Sequence, residues 1–463
     1  MNHPPCALWI LLSVPFSVLL PDACQAERPN VIVIMADDIG AEGLGCYGST
    51  LYTTPHLDRM AREGARFENA YATPLCTPTR VMLMSGLYPN RTGFRALISK
   101  QPGVRLPAEI RTFGHDFQEA GYRTAIAGKW QLGKFDEHPG QPTEHGFDEY
   151  CLWSWFYGGK KSSRYYQPQY YQNGKILDGA KEDFGPDVFR DFVRDFIDRH
   201  HEQPFFIYYP MALVHSPFIH PPRLESLARS RYPDDVDKQT AAFGHMITCM
   251  DDVVGDILTK LRDHGIDDNT LVLFTGDNGT GRPITSRLPD LEIKGGKGTM
   301  TEAGSRVPFL AWWPGRVPPG VREEFLCLVD VVPTIAAMAD IPLHRTLDGM
   351  DLSHNLLGTS GDDRPHVLIN YRQAYFVRDR MLRLNEDGRL YHIPVSSDAA
   401  RYAERETSAA EFDTHRQRLQ QVLDEFMAIP QEYDHWKDVP AATRKKKKKA
   451  SSRRSSPRPS DQP

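Results

Sequence analysis

Cysteine is scarce in this chain: seven residues in 463, of which Cys46, Cys76, Cys151, Cys249 and Cys327 lie beyond residue 26. Their wide spacing matches neither a zinc-ligand pattern nor a dense disulfide framework. With Cys76 set aside, the spacing leaves a pair or two of disulfides open. Long apolar runs are also missing. Ala7 to Leu20 is too short to cross a bilayer, and no later segment has the length of a membrane helix, so stable membrane insertion is not expected. The first 26 residues contain no Lys or Arg, yet the apolar run followed by Cys24-Gln25-Ala26 reads as a signal peptide over residues 1–26, cleaved before Glu27. The sequence around Cys24 fits a lipid-attachment box poorly, so a periplasmic or secreted location is expected. The basic stretch beginning at Arg444 has no aromatic residue for base stacking, which argues against a specific nucleic-acid partner and for a solvated tail over residues 441–463.

Charge is unevenly shared. The overall net charge is −5, but residues 444–463 hold nine Lys and Arg against Asp461, and residues 1–26 hold only Asp22, so residues 27–443 carry −12. That body is long enough for a large domain, placed at 27–345, and a smaller one at 346–440.

Val31-Ile-Val-Ile-Met-Ala36 is a continuous apolar run, the pattern of a parallel strand covered on both faces, and it delivers Asp37 and Asp38 at its carboxyl end. Leu271 to Phe274 repeats the pattern and delivers Asp277 and Asn278. Ligands bind at the carboxyl ends of such strands. Adjacent carboxylates beside a buried strand need neutralising, and an all-oxygen donor set suits a hard divalent cation. Phe205 to Val214 reads as a further strand ending at His215, with His220 as a second pocket residue. Tyr122 to Ala127 is another, with Lys129 and Gln131 beyond its tip. Helical spacing marks Val188 to Ile197 and Phe243 to Leu261. Between residues 135 and 181 a dense aromatic stretch suits either a sugar-facing loop or a loop packed by its own rings. After residue 345, short strands at 366–370, 374–379, 381–385 and 390–393 precede a helix bearing Leu419, Val422, Leu423 and Phe426.

Cys76-Thr77-Pro78-Thr79-Arg80 opens a short helix, with Thr77 suited to cap it and Cys76 expected just before its N-terminus, where backbone N–H groups favour an anion. Followed by Ser85-Gly86-Leu87-Tyr88-Pro89-Asn90-Arg91-Thr92-Gly93, this segment resembles the signature of the formylglycine-dependent sulfatases. Thr54 to Ala61, Lys129, His215-Ser216-Pro217, Asp277-Asn278 and Gly295 to Pro308 are similar to the same family. The family usually has histidine where this chain has Gln131.

The resemblance implies an alkaline-phosphatase-like α/β fold, a large mixed sheet flanked by helices, with a smaller C-terminal α+β subdomain. It implies that Cys76 is oxidised by formylglycine-generating machinery to an aldehyde. It further implies that Asp37, Asp38, Cys76, Asp277 and Asn278 hold one Ca2+, and that Arg80, Lys129, Gln131, His215 and Lys297 serve catalysis, with Lys294 competing for the last role. The implied activity is hydrolysis of a sulfated small molecule or glycan. Alternatives from the residues are a phosphonate or phosphate ester hydrolase of the same superfamily, a non-catalytic binder of sulfated glycans, and a thiolate hydrolase using Cys76 and His215.

Overall fold

The computed structural model describes residues 28–98, 102–222, 232–393 and 399–434. The signal segment and the basic tail lie outside them. Ten strands form the main sheet: β1 Asn30–Ala36, β2 Ala65–Tyr71, β3 Arg123–Gly128, β4 Glu149–Trp153, β5 Gln169–Gln172, β6 Lys175–Asp178, β7 Phe205–Pro210, β8 Thr270–Gly276, β9 Phe309–Trp312 and β10 Gly320–Cys327. Their spatial order is β10-β2-β9-β8-β1-β7-β3-β4-β5-β6. The centre is parallel, β8-β1-β7-β3-β4, and antiparallel pairs flank it on both sides. The sheet is thus mixed, as expected.

Every residue of β1 is buried, which is why its run is continuously apolar rather than alternating. Helices supply the cover: α1 Pro55–Glu63, α2 Cys76–Ser85, α3 Phe113–Glu119, α4 Gly185–His200, α5 Lys238–Asp263 and α6 Val331–Met338. On α4 the residues Phe189, Phe192, Val193, Phe196 and Ile197 are buried at one-turn spacing, while the intervening Asp and Arg residues lie towards solvent. Each such phenylalanine contributes about 1.5–3 kcal/mol through burial. The long α5 packs on α1 and α4, and α4 packs on β3.

Three local expectations change. The strand predicted over Phe205 to Val214 ends at Pro210, which has no N–H to continue the ladder. From there residues 211–214 wrap around Asp37, whose N–H donates to Leu213 O while its carbonyl accepts from Val214 N. Cys76 is the first residue of α2 rather than the one before it. Leu75 is the cap, and Thr79 N donates to its carbonyl to close the first turn. Finally, Cys46, Cys76, Cys151, Cys249 and Cys327 are all free thiols, so neither disulfide left open by the spacing forms.

A second antiparallel sheet contains β11 Val367–Tyr371, β12 Ala374–Arg378, β13 Leu382–Asn385, β14 Leu390–His392 and β15 Arg405–Thr407, with α7 Asp413–Ala428 packed against β12 and β13. Buried ion pairs tie this C-terminal region to the preceding part of the chain. Arg364 Nε donates to Asp330 Oδ2 at 2.6 Å, Arg378 Nε donates to Glu302 Oε1 at 2.7 Å, and the side chains of all four residues are 5% exposed or less. Removing one partner leaves a buried charge without compensation. Arg364→Leu is therefore expected to cost about 3–5 kcal/mol, measured by urea unfolding of the whole chain.

Candidate active site

Register brings the first two carboxylates together. In the β1–β8 pair Ala36 lies opposite Gly276, so Asp37 and Asp277 leave adjacent parallel strands side by side. The chain then turns at Asp38, whose φ of 69° is left-handed, and Asp38 N donates to Asp277 Oδ1 at 3.0 Å. A non-glycine residue held there is strained, as is common where a functional group must be aimed. Ligand atoms of Asp37, Cys76 and Asp277 lie within 4.8 Å of one another, and so do those of Asp37, Asp38 and His215.

Cations surround this cluster. Arg80, 1% exposed, donates from Nε and Nη2 to Asp277 Oδ2 at 3.2 and 2.7 Å and from Nη1 to Lys129 O at 3.0 Å. Lys129 Nζ sits on both oxygens of Asp37, at 2.9 and 2.7 Å, and Lys297 Nζ on both oxygens of Asp38, at 2.5 and 2.6 Å. Lys294, the competing candidate, is exposed on the short strand Leu291–Lys294. Gly128 explains how Lys129 reaches its place. Its φ is 106°, and a Cβ there would stand 2.2 Å from Pro210 O, so glycine alone lets the chain turn against β7.

Burial alone would raise the Asp37 carboxyl, but Lys129, His215, Arg80 and Lys297 hold it well below the usual carboxylate range. Asp38 is likewise lowered, against burial, by Lys297 and His215. Asp277 goes the other way, pushed up to about 7 by burial and by the charge of Asp37. His215 is pushed down to about 4 by burial, although Asp38 and Asp37 pull it upward. Its Nδ1 donates to Ser216 O at 2.7 Å, which leaves Nε2, 3.7 Å from Asp38 Oδ2, as the atom with a free lone pair.

The site has an orphan. Asn278 donates from Nδ2 to Asp38 Oδ1 and Gly279 O, yet its Oδ1 is buried with no hydrogen-bond partner. A buried amide oxygen left bare is costly unless something electropositive meets it. Three carboxylates, one bare amide oxygen and the position-76 side chain make a donor set that fits a hard cation such as Ca2+.

Arg164 was not legible in the sequence. Its side chain is 5% exposed, its Nη1 lies 3.3 Å from Asp37 Oδ2, and its guanidinium stacks 4.0 Å over the ring of Trp153. Next to it, Tyr165 donates to the carbonyls of Ala212 and His215 and so fixes the His215 loop. The only hint was an arginine inside the dense aromatic stretch. Of that stretch Trp153, Trp155, Tyr165 and Tyr171 are buried, so the loop is largely packed by its own rings. Gln131 follows β3 with φ 51°, half-buried, its Oε1 covered and without a partner among the described residues. His220 does not join the carboxylates; its Nδ1 is 2.9 Å from Nδ1 of His245.

Comparison with known proteins gives a match to the Sulfatase family model over residues 29–341. Arylsulfatase A of Bos taurus is 34% identical over 392 residues, covering 79% of this chain and 74% of its own. N-acetylgalactosamine-6-sulfatase of Homo sapiens is 33% identical over 375 residues, covering 73% and 68%. Among solved structures, Ps i-CgsB superposes with a TM-score of 0.76 at 23% identity, covering 90% of this chain and 99% of that one, a likeness of fold.

A cation that binds only the folded site adds stability by mass action, about 2.7 kcal/mol at a hundredfold excess over Kd. Chelation is accordingly expected to lower the melting temperature by about 3 °C, with Ca2+ restoring it. The restoration should shrink in Asn278→Ala. Differential scanning calorimetry with and without chelator reads both effects.

Proposed function

The chain belongs to the sulfatase family, and on that premise we propose that it is an exported hydrolase of sulfate esters on carbohydrates, working through an aldehyde at position 76 and one bound Ca2+. The observation that carries this reading is the approach of Cys76 to Asp37 and Asp277 within 4.8 Å, at a helix N-terminus ringed by buried cations. The glycan preference is supported by the sugar sulfate that the human relative's name specifies.

Asp37, Asp38, Asp277 and Asn278 would hold the cation, which when bound polarises a sulfate oxygen. The hydrated aldehyde supplies a hydroxyl as nucleophile towards sulfur. Arg80 locks Asp277 and, through Lys129 O, the tip of β3, so the donor set is already in place before substrate arrives. Lys129, Lys297 and Arg164 offset the charge on the sulfuryl oxygens, and because each also touches a carboxylate their positions are fixed rather than recruited. His215, neutral at pH 7 and fixed by its Nδ1 bond, presents the lone pair of Nε2 to take the proton released by the attacking hydroxyl and then hand it to the leaving oxygen. Gln131 orients the position-76 side chain without taking its proton, since an amide has no usable basicity near neutral pH.

Peptide mass spectrometry of active protein should show the aldehyde at position 76, and Cys76→Ala should abolish turnover while the circular dichroism spectrum is retained. Full activity with an unmodified thiol would sink the mechanism. Paired assays on the sulfate and phosphate esters of one alcohol should favour the sulfate.

Gln131 gives a separate test. Gln131→His, which supplies a base where the family carries one, is expected to raise kcat, and Gln131→Ala to lower it about tenfold, the worth of one hydrogen bond to a charged group. Rates unchanged in both variants would make Gln131 a bystander.

A further inference from the structure

Outside the carboxylate cluster, three arginines from three different segments are linked, directly or through a neighbour, to the loop that carries Lys297. Arg282 is exposed, and it is pinned by donating from Nε to Lys297 O at 2.9 Å and from Nη2 to Gly298 O at 3.3 Å. Arg372 is exposed at the turn between β11 and β12, its guanidinium 5.1 Å from the centre of the Tyr371 ring. The Tyr371 hydroxyl in turn lies 3.8 Å from where a Cβ on Gly298 would stand. Arg372 N donates to Arg95 O at 2.7 Å, which brings the backbone of the half-exposed Arg95 to this turn, and Arg95 Nη2 donates to Asn90 O at 3.2 Å.

Segments next to the group contact the chain on either side of position 76. Gly298 N donates to Pro74 O at 2.7 Å, two residues before Cys76, and Ile98 N donates to Thr77 Oγ1 at 3.4 Å, one residue after it. Among the described residues none of the three arginines has an ion-pair partner, although residues 27–443 carry a net −12. In an acidic surface, unpaired cations gathered at one mouth are an attractive field for an anion, and guanidinium forks held by carbonyls or by an aromatic face are already oriented to receive one.

We propose that Arg95, Arg282 and Arg372 form an anionic subsite at the mouth of the active site, so that the preferred substrate is a sulfated glycan bearing a second anionic group beside the ester that is cleaved. This rests on the sulfatase reading and adds the substrate class. A second sulfate and a uronate carboxylate share the required chemistry, an oxygen anion able to accept two parallel N–H bonds. Part of the subsite comes from the C-terminal sheet, through the β11–β12 turn.

The test compares three disaccharides that carry the same cleavable sulfate: one otherwise neutral, one with a neighbouring uronate and one with a second sulfate. Wild-type, Arg372→Gln and Arg95→Gln proteins are assayed with the aldehyde at position 76 verified. Arg282 is left intact because it supports the Lys297 loop. The expected result is that kcat/KM for an anionic disaccharide relative to the neutral one exceeds one in the wild type, falls about tenfold in each variant through KM, and falls as salt is raised. The arm with the higher ratio identifies carboxylate or sulfate as the second group. A ratio equal to one, or one that is the same in wild type and variants, overturns the proposal. If no disaccharide is hydrolysed, the sulfatase reading itself has failed. The rim is then judged by isothermal titration with the disulfated disaccharide: weaker binding in the variants upholds it, and equal binding removes it.

Discussion

Three carboxylates with no more than 4% of their surface exposed, at the ends of strands buried on both faces, are the constraint on which the rest of the structure depends. An uncompensated buried charge is expensive, and the surrounding chain is arranged to compensate these. Lys129 comes from the tip of β3, Arg80 from one turn into α2, Lys297 from a glycine-rich loop and Arg164 from the aromatic loop. The cations arrive from four separate segments, so the site also holds those segments together. Removing one cation would disturb the placement of its carboxylate as well as the local charge.

The same arrangement separates two jobs. Ligand atoms of the carboxylates are gathered within 4.8 Å of one another in two sets, and Lys129, Lys297 and Arg80 bond to those carboxylates and hold them there. Under the proposed function a sulfate ester would meet positive charge already fixed in place, which is how preorganised sites lower the cost of charge development. Gln131 stands outside this scheme because its amide can neither balance charge nor hold a proton.

Much of the fold was legible because periodicity and burial go together. The run from Val31 to Ala36 is apolar at every position since both faces of β1 are covered, and the one-turn spacing in α4 marks a single buried face. Boundaries were harder. Pro210 ends β7 early because a ladder needs an N–H, and Leu75 rather than Thr77 caps α2 because the capping geometry belongs to the backbone before Cys76. Motif residues such as Asp277 and Lys297 could be picked from sequence because they stand next to strand ends or small residues. Arg164 could not, since it sits mid-loop and its role depends on a stacking partner, Trp153, and an acceptor, Asp37, that only the tertiary fold brings near.

The alignment of Ala36 with Gly276 has a consequence for how the molecule is made. Slipping one strand by a residue would shift its carboxylate by about 3.3 Å and turn it to the opposite face of the sheet. No partly zipped or misregistered sheet therefore contains even a weakened version of the site. Assembly of the central strands and assembly of the carboxylate cluster become one cooperative event, so a chain that has not reached register has no site to act with.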